Sequence, residues 1–385
     1  MFSREQFQIF GLPNILFFGQ LFILQFFYMF LPLHLQEIGL ANWQIGLLAG
    51  LIPITAMILS IPFGIFADRI VPKHLVIAGL VLSAIFVFGL GQAKGFFEMV
   101  PLFIIGGIGM QLFYISLFSL YYKTIGGGHN SKKIALVEMS RVLGYGLGPF
   151  IAGLLLVSIG FLVLLNMAFF AIIPLILLSL FLKKTKGIEF DISQYKRDLG
   201  NKKIQMVFLG YFFLALHFGS EEVSHALFLK NVIGLDFAQM GLVFLWIMAV
   251  ILVFTPLGAG FLDKTKKFKA IIFIGLLASG IGNILYLWTF TFAMVLVSRL
   301  VHEFGDALAI LGIKAVVPEL SNVKRVGSVF GTLMLASYSG QLVGAVISGI
   351  TADLFGYAMP FVVTGAALFV SVALFGLLFL GKDKK

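Results

Sequence analysis

No cysteine occurs in the 385 residues, which excludes disulfides, thiol nucleophiles and thiolate-bound metals. Charge is scarce as well. Asp, Glu, Lys and Arg make up 11% of the chain, against about 25% in a soluble globular protein. Such a chain cannot coat its surface with ions, so its solvent must largely be lipid. No Gly-x-x-x-x-Gly-Lys-Ser/Thr element is present, and Gly126-Gly127-Gly128-His129 reads as a loop, so ATP-driven work is not expected. A His-Glu-x-x-His element is missing too. His217 to His225 around Glu221 and Glu222 has the wrong spacing for it, so neither metal, cofactor nor enzymatic activity is expected.

What is abundant is apolar sequence, 60% of the chain, in runs of about 20 residues without strand-like alternation. Backbone groups in lipid need internal partners, so these runs predict helices. Twelve spans are expected, at about 12–36, 44–66, 73–92, 99–121, 133–157, 160–182, 204–229, 240–262, 269–288, 292–314, 325–352 and 356–380. Met1 to Phe10 is short and polar and has no small-residue cleavage site. The apolar run after it is too long for a signal-peptide core, so it reads as a retained first span.

An even span count puts both termini on one side. That side would carry 23 of the 27 Lys and Arg residues. Lys94 and Lys230 alone fall opposite, while Arg141 and Arg299 fall within spans. This asymmetry predicts cytoplasmic termini in a plasma (inner) membrane, and it explains a net charge of +10 without nucleic acid.

The chain also repeats itself. Ile38-Gly39-Leu40, Gln44, Gly46 and Leu47 return 195 residues later as Ile233-Gly234-Leu235, Gln239, Gly241 and Leu242. Asp68-Arg69 returns as Asp263-Lys264 at the same offset. Gly153 and Gly160-Phe161 return as Gly349 and Gly356-Tyr357, one residue further on. The repeat predicts an N-terminal half over 1–182, a cytoplasmic linker over 183–203 and a C-terminal half over 204–385.

Between spans 2 and 3 stands Gly64-x-x-Ala67-Asp68-Arg69-x-x-x-Lys73. It is similar to the cytoplasmic loop signature of the major facilitator superfamily, although Val71 and Pro72 replace the usual Gly-Arg. The resemblance covers essentially the whole chain. It implies twelve transmembrane helices in two pseudo-symmetric six-helix bundles, with spans 1, 4, 7 and 10 around a central cavity. It also implies a gating role for Gly64, Asp68, Arg69 and Lys73, and for the degenerate copy Asp263 and Lys264. Gly144-x-x-x-Gly148-Pro149-x-x-Ala152-Gly153 in span 5 resembles a motif of the antiporter branches, and span 11 repeats the spacing at Gly340 and Gly344. Small residues four apart equally suit close helix packing. The arginine that those branches carry in span 4 is missing. Arg299, His302 and an acid on span 10, with Arg141-x-x-Gly144, also resemble the sugar/proton symporter branch, although the spacing differs.

Two sets of ionisable residues interrupt the apolar spans. Span 10 carries Arg299, His302, Glu303 and Asp306, with Arg299–Glu303 and His302–Asp306 at i,i+4. Span 7 carries His217, Glu221, Glu222 and His225, with His217, Glu221 and His225 on one face. Each ion at mid-bilayer costs roughly 2.5–3.5 kcal/mol, so these groups must face protein or a water-filled cavity. Glu221, Glu303 and Asp306 are the expected proton carriers, the three histidines titrate near neutrality, and Arg299 is the expected anchor for a substrate or carboxylate. A permanently paired structural network is the other reading of the same residues. The first half offers Gln20, Gln25, Tyr28, Gln111 and Tyr114 as substrate contacts. Glu138 and Arg141 read as interfacial residues or as partners of the Asp68 loop.

The expected function is a secondary active transporter for a small organic solute, coupled to protons and working by alternating access. Efflux by antiport is one direction. Uptake by symport of a sugar-, nucleoside- or organic-acid-like solute is the other. A non-transporting sensor or scaffold on the same fold would have little need for the buried ions. The expected partners are the bilayer, the solute and protons, around a monomer.

Overall fold

The computed structural model describes residues 11–69, 71–124, 131–183, 202–320 and 326–380, in places by backbone alone, as at 60–69. Among the described residues twelve spans are present, all helical. Span 1 is Leu12–Tyr28 continued by Leu31–Glu37. It breaks where Pro32, in the first turn of the second piece, has no N–H to donate. Spans 2 to 6 are Asn42–Arg69, Pro72–Leu90, Phe96–Thr124, Ser131–Leu156 and Phe161–Ser179. Spans 7 to 12 are Lys202–Asn231, Phe237–Thr265, Phe268–Ile284 with a 3₁₀ turn Leu285–Trp288, Phe292–Leu320, Val326–Phe355 and Met359–Leu380.

Several helices outrun their apolar segments, because backbone hydrogen bonding continues where side chains turn polar. Ten of the helices are long and apolar enough to cross a bilayer. Spans 7 and 10, the two that carry the ionisable sets, fall outside that description. Large apolar side chains point outward, as at Phe97 (85% exposed) and Phe290 (67%), which suits a lipid solvent.

Two compact units result. One holds spans 1 to 6 without the first turns of span 2, plus Asp236–Leu245 from the start of span 8. The other holds spans 7 to 12 without that piece, plus Ala41–Gly50 from the start of span 2. The same pairings recur in both. Span 1 packs on 5 and 6, and span 3 on 4 and 6. Span 7 packs on 11 and 12, and span 9 on 10 and 12. This is the pseudo-symmetry that the repeat implies.

Backbone approach explains the small residues. A Cβ added at Gly144 would stand 2.8 Å from the Phe18 carbonyl of span 1, and one at Gly148 2.6 Å from that of Phe22. Pro149 lies inside the same helix. Gly153 sits against Gly241, inside the first unit. In the second unit Gly340 and Gly344 of span 11 meet the carbonyls of Phe212 and Leu216 on span 7. A Gly344→Val change therefore forces backbone apart and should lower stability by about 1–3 kcal/mol. Gly376 on span 12 is the control, since an added Cβ there finds the Phe273 ring at 3.7 Å, an ordinary contact. Gly376→Ala should be neutral or gain about 0.5–1 kcal/mol. Thermal unfolding in detergent checks both.

The repeated Ile-Gly-Leu element has a backbone cause. Gly39 (φ 92°) and Gly234 (φ 75°) close spans 1 and 7 in the left-handed region, where a Cβ is strained. The next helix starts then differ. Span 8 has its own cap, with Gln239 N–H donating to Asp236 Oδ1 (2.8 Å). The residue 195 positions earlier is Ala41, which cannot cap. Asp353 of span 11 supplies the carboxylate instead, accepting from Asn42 Nδ2 (2.7 Å) and from the Trp43 N–H (2.8 Å).

Candidate functional site

In the second unit, glycines bring spans 9 and 10 together. A Cβ on Gly282 would stand 2.6 Å from the Cα of His302, and one on Gly275 2.7 Å from the Gly305 carbonyl. Ser279 of span 9 thereby reaches span 10, and its Oγ donates to Asp306 Oδ1 at 2.6 Å. Span 7 supplies the facing side chains. His217 Nε2 lies 2.8 Å from Asp306 Oδ2, and Arg299 donates to Glu221 Oε1 at 2.5 Å. Arg299 also donates to Glu303, one helical turn on. The ionisable sets of spans 7 and 10 therefore form one network. Arg299, His302, Glu303 and Asp306 are buried, and Glu221 is its most exposed member, with 14% of its side chain accessible.

The hydrogen bonds locate protons. His302 Nδ1 lies 2.9 Å from the backbone carbonyl of Ser279, which only accepts, so Nδ1 carries a hydrogen. His302 Nε2 lies 2.9 Å from Glu221 Oε1 and 3.7 Å from Asp306 Oδ2, at ion-pair distance although not aligned as a hydrogen bond. A bare nitrogen lone pair facing a carboxylate at that distance is repulsive. A proton therefore belongs to the His302–Glu221 pair. The buried Nδ1 of His217 has no hydrogen-bond partner among the described residues.

Arg299 and a His302 imidazolium bring two positive charges against Glu221, Glu303 and Asp306.

His225 meets the Tyr286 hydroxyl at 2.9 Å, which the 3₁₀ turn after span 9 positions. Glu222 is half-buried and makes none of these bonds. Ser224 and Ser348 join spans 7 and 11 at 2.6 Å. Ser279, Tyr286 and Ser348 escaped the sequence reading, since a serine or tyrosine in an apolar helix carries no charge to mark it.

His217, His302 and Asp306, and likewise Glu221, His302 and Glu303, each offer donor atoms within 4.8 Å of one another. A tetrahedral zinc site would space adjacent ligand atoms roughly 3.3 Å apart, from bonds of about 2.0–2.1 Å. His217 and Asp306 stand 2.8 Å apart and His302 and Glu221 2.9 Å apart, closer than that spacing.

The first unit is mostly apolar. Gln20, Leu21, Leu24, Met110, Tyr114 and Arg141 line a cavity together with Phe17 and Phe113. The Arg141 guanidinium lies over the Tyr114 ring, 4.7 Å from its centroid. Sequence reasoning placed Arg141 at the interface or beside the Asp68 loop, and the structure places it on this cavity wall. Gln20 and Tyr114 share the lining, whereas Gln25, Tyr28 and Gln111 are buried outside it. In the gate motif, Lys73 donates to the Leu180 carbonyl, and Asp263 and Lys264 are exposed. Gly64 lies within the span 2 helix, and the side chains of Asp68, Arg69 and Glu138 lie outside the described residues.

The Major Facilitator Superfamily model matches residues 14–219 and again 199–385. An uncharacterized MFS-type transporter of Methanocaldococcus jannaschii is 21% identical over 351 residues, 85% of this chain and 87% of that protein. Among solved structures, the nucleoside transporter NupG aligns over 96% of this chain and 98% of its own, with a TM-score of 0.82 and 14% identity. A bacterial homolog of the human lysosomal transporter Spinster, inward-facing and unoccupied, aligns over 98% of both chains with a TM-score of 0.84 and 15% identity. At such identities the likeness is one of fold.

Proposed function

The chain belongs to the major facilitator superfamily, and from that premise we propose that it is a proton-coupled secondary transporter for a small organic solute. The observation that carries the coupling is His302. One ring nitrogen is committed to a backbone carbonyl, and the other lies 2.9 Å from Glu221, the most accessible acid of the network. A proton entering or leaving there changes the charge balance of five buried groups at once. Any movement of span 7 against span 10 alters the same distances, so protonation and conformation are linked.

Alternating access of two six-span halves, 1–182 and 204–385, is the motion that this reading requires. Cytoplasmic termini in the plasma membrane follow from the distribution of Lys and Arg. The protein works as a monomer. The Gly-Pro motif of span 5 favours exchange of solute for protons.

The test starts with a ligand-stabilisation screen at two pH values. A hit is then followed into proteoliposomes under an imposed pH gradient. Accumulation with the lumen acid supports exchange, and accumulation with the bath acid supports symport. Transport indifferent to gradients of either sign, and to a protonophore, sinks the proton coupling.

A further inference from the structure

We propose that spans 7 and 10 hold a binding site for a divalent transition-metal ion of the zinc type, with His217 Nε2, His302 Nε2 and Asp306 Oδ2 as ligands and Glu221 at the fourth position. The inference goes beyond the transporter reading, and whether protons drive transport does not bear on it. No spacing along the chain marks these residues as a set, because the ligands come from two helices.

The three ligand atoms lie within 4.8 Å of one another. Adjacent ligand atoms around a tetrahedral zinc stand roughly 3.3 Å apart. The two separations from Asp306 Oδ2 fall on either side of that value, 2.8 Å to His217 and 3.7 Å to His302. Shifts of about 0.5 and 0.4 Å bring both onto it, and small side-chain rotations supply them.

The other atoms of two ligands are already tied down. His302 Nδ1 donates to the Ser279 carbonyl at 2.9 Å. Its Nε2 is buried and has no hydrogen-bond partner among the described residues. Asp306 Oδ1 accepts from Ser279 Oγ at 2.6 Å, which leaves Oδ2 for the site. Ser279 therefore orients both ligands. A metal-binding imidazole almost always has its second nitrogen held in this way, and a ligating carboxylate likewise.

Two imidazole nitrogens with carboxylate oxygens suit zinc and its first-row neighbours, whereas magnesium and calcium want six or more oxygens. When ionised, Glu221, Glu303 and Asp306 set three negative charges against the one positive charge of Arg299. With neutral histidines, a divalent cation balances that set, and buried charge needs such balance. Glu221 Oε1 lies 2.9 Å from His302 Nε2, and its side chain is 14% accessible, so it gives the ion a way in. Once bound, the ion replaces the proton of the His302–Glu221 pair and ties span 7 to span 10.

The detergent-purified full chain, free of any histidine tag, is titrated with Co²⁺. Tetrahedral Co²⁺ absorbs visible light far more strongly than octahedral Co²⁺ held at a surface, so the spectrum reports the geometry. The wild type should give the tetrahedral spectrum with a single ion per chain. Zn²⁺ in equal amount should abolish it, and excess Mg²⁺ should not. His217→Gln and His302→Gln should lose it, whereas His74→Gln, at an exposed position on span 3, should keep it. Ser279→Ala leaves every ligand in place but unties two, and should weaken zinc binding roughly 10- to 100-fold in equilibrium dialysis. The chain has no cysteine, so Asp306→Cys introduces a single thiol. That variant should still bind Co²⁺ and add a thiolate-to-cobalt charge-transfer band in the near ultraviolet.

A wild type without the tetrahedral spectrum overturns the inference. So does an unchanged spectrum in folded His302→Gln, or Co²⁺ bound to Asp306→Cys without the thiolate band. The wild-type titration needs no variant, and the new band is a gain rather than a loss, so misfolding cannot imitate success. None of these measurements involves a pH gradient, so their failure leaves the proton coupling to its own test in proteoliposomes.

Discussion

Arg299→Met should be the most damaging single substitution in the chain. Arg299 is 1% exposed and bridges Glu221 on span 7 to Glu303 on its own helix. Removing one partner of a buried ion pair costs about 3–5 kcal/mol, because the other charge stays buried without compensation. Here two carboxylates are left, and they repel each other. The measurement is thermal unfolding of the detergent-purified protein, together with the folded yield. Neutralising the stranded acids should restore much of the loss, so Arg299→Met combined with Glu221→Gln and Glu303→Gln should outlast the single variant. This non-additivity is the signature of a network. A single variant as stable as the wild type would mean that Arg299 is not held by these acids.

His302→Gln should separate coupling from transport. With one proton moved per solute, a one-unit pH gradient supplies roughly 1.4 kcal/mol, or about tenfold accumulation. Glutamine cannot titrate, so the variant should lose that accumulation while still exchanging labelled for unlabelled solute across the membrane. Glu221→Gln should behave alike, since Glu221 faces the same ring nitrogen at 2.9 Å. A purely structural role predicts a different pattern, with accumulation and exchange falling together. Full accumulation in folded His302→Gln would refute the assignment of the proton to this pair.

Much of the architecture was legible because a bilayer imposes simple rules. Helix number followed from apolar runs matched to the membrane, and the close packing of Gly148 and Gly344 from small residues at four-residue spacing. The sets on spans 7 and 10 were legible as costs, since ions in an apolar span demand partners. Their i,i+4 pairs on span 10 followed from helical geometry alone. His225 illustrates the limit of that reasoning. Spacing put it on one face with His217 and Glu221, but only the 3₁₀ turn after span 9 carries the Tyr286 hydroxyl to it. Arg141 illustrates another. A lone charge near a helix end reads as interfacial, and only the packing of spans 1, 4 and 5 puts it on a cavity wall.

The sequence by itself determined an all-helical membrane protein with a repeated half and buried charge in the second copy. Those conclusions depend on composition and on periods along one chain, which lipid and helix geometry turn into structure directly. Only the tertiary structure decided which atoms of spans 7 and 10 meet, that Arg299 donates to both Glu221 and Glu303, and that Gln20 presents an unanswered oxygen. Each of these depends on distances of about 3 Å between separate helices, the range over which a hydrogen bond exists or fails. Helix packing fixes distances on that scale, and a pattern along one chain does not contain them.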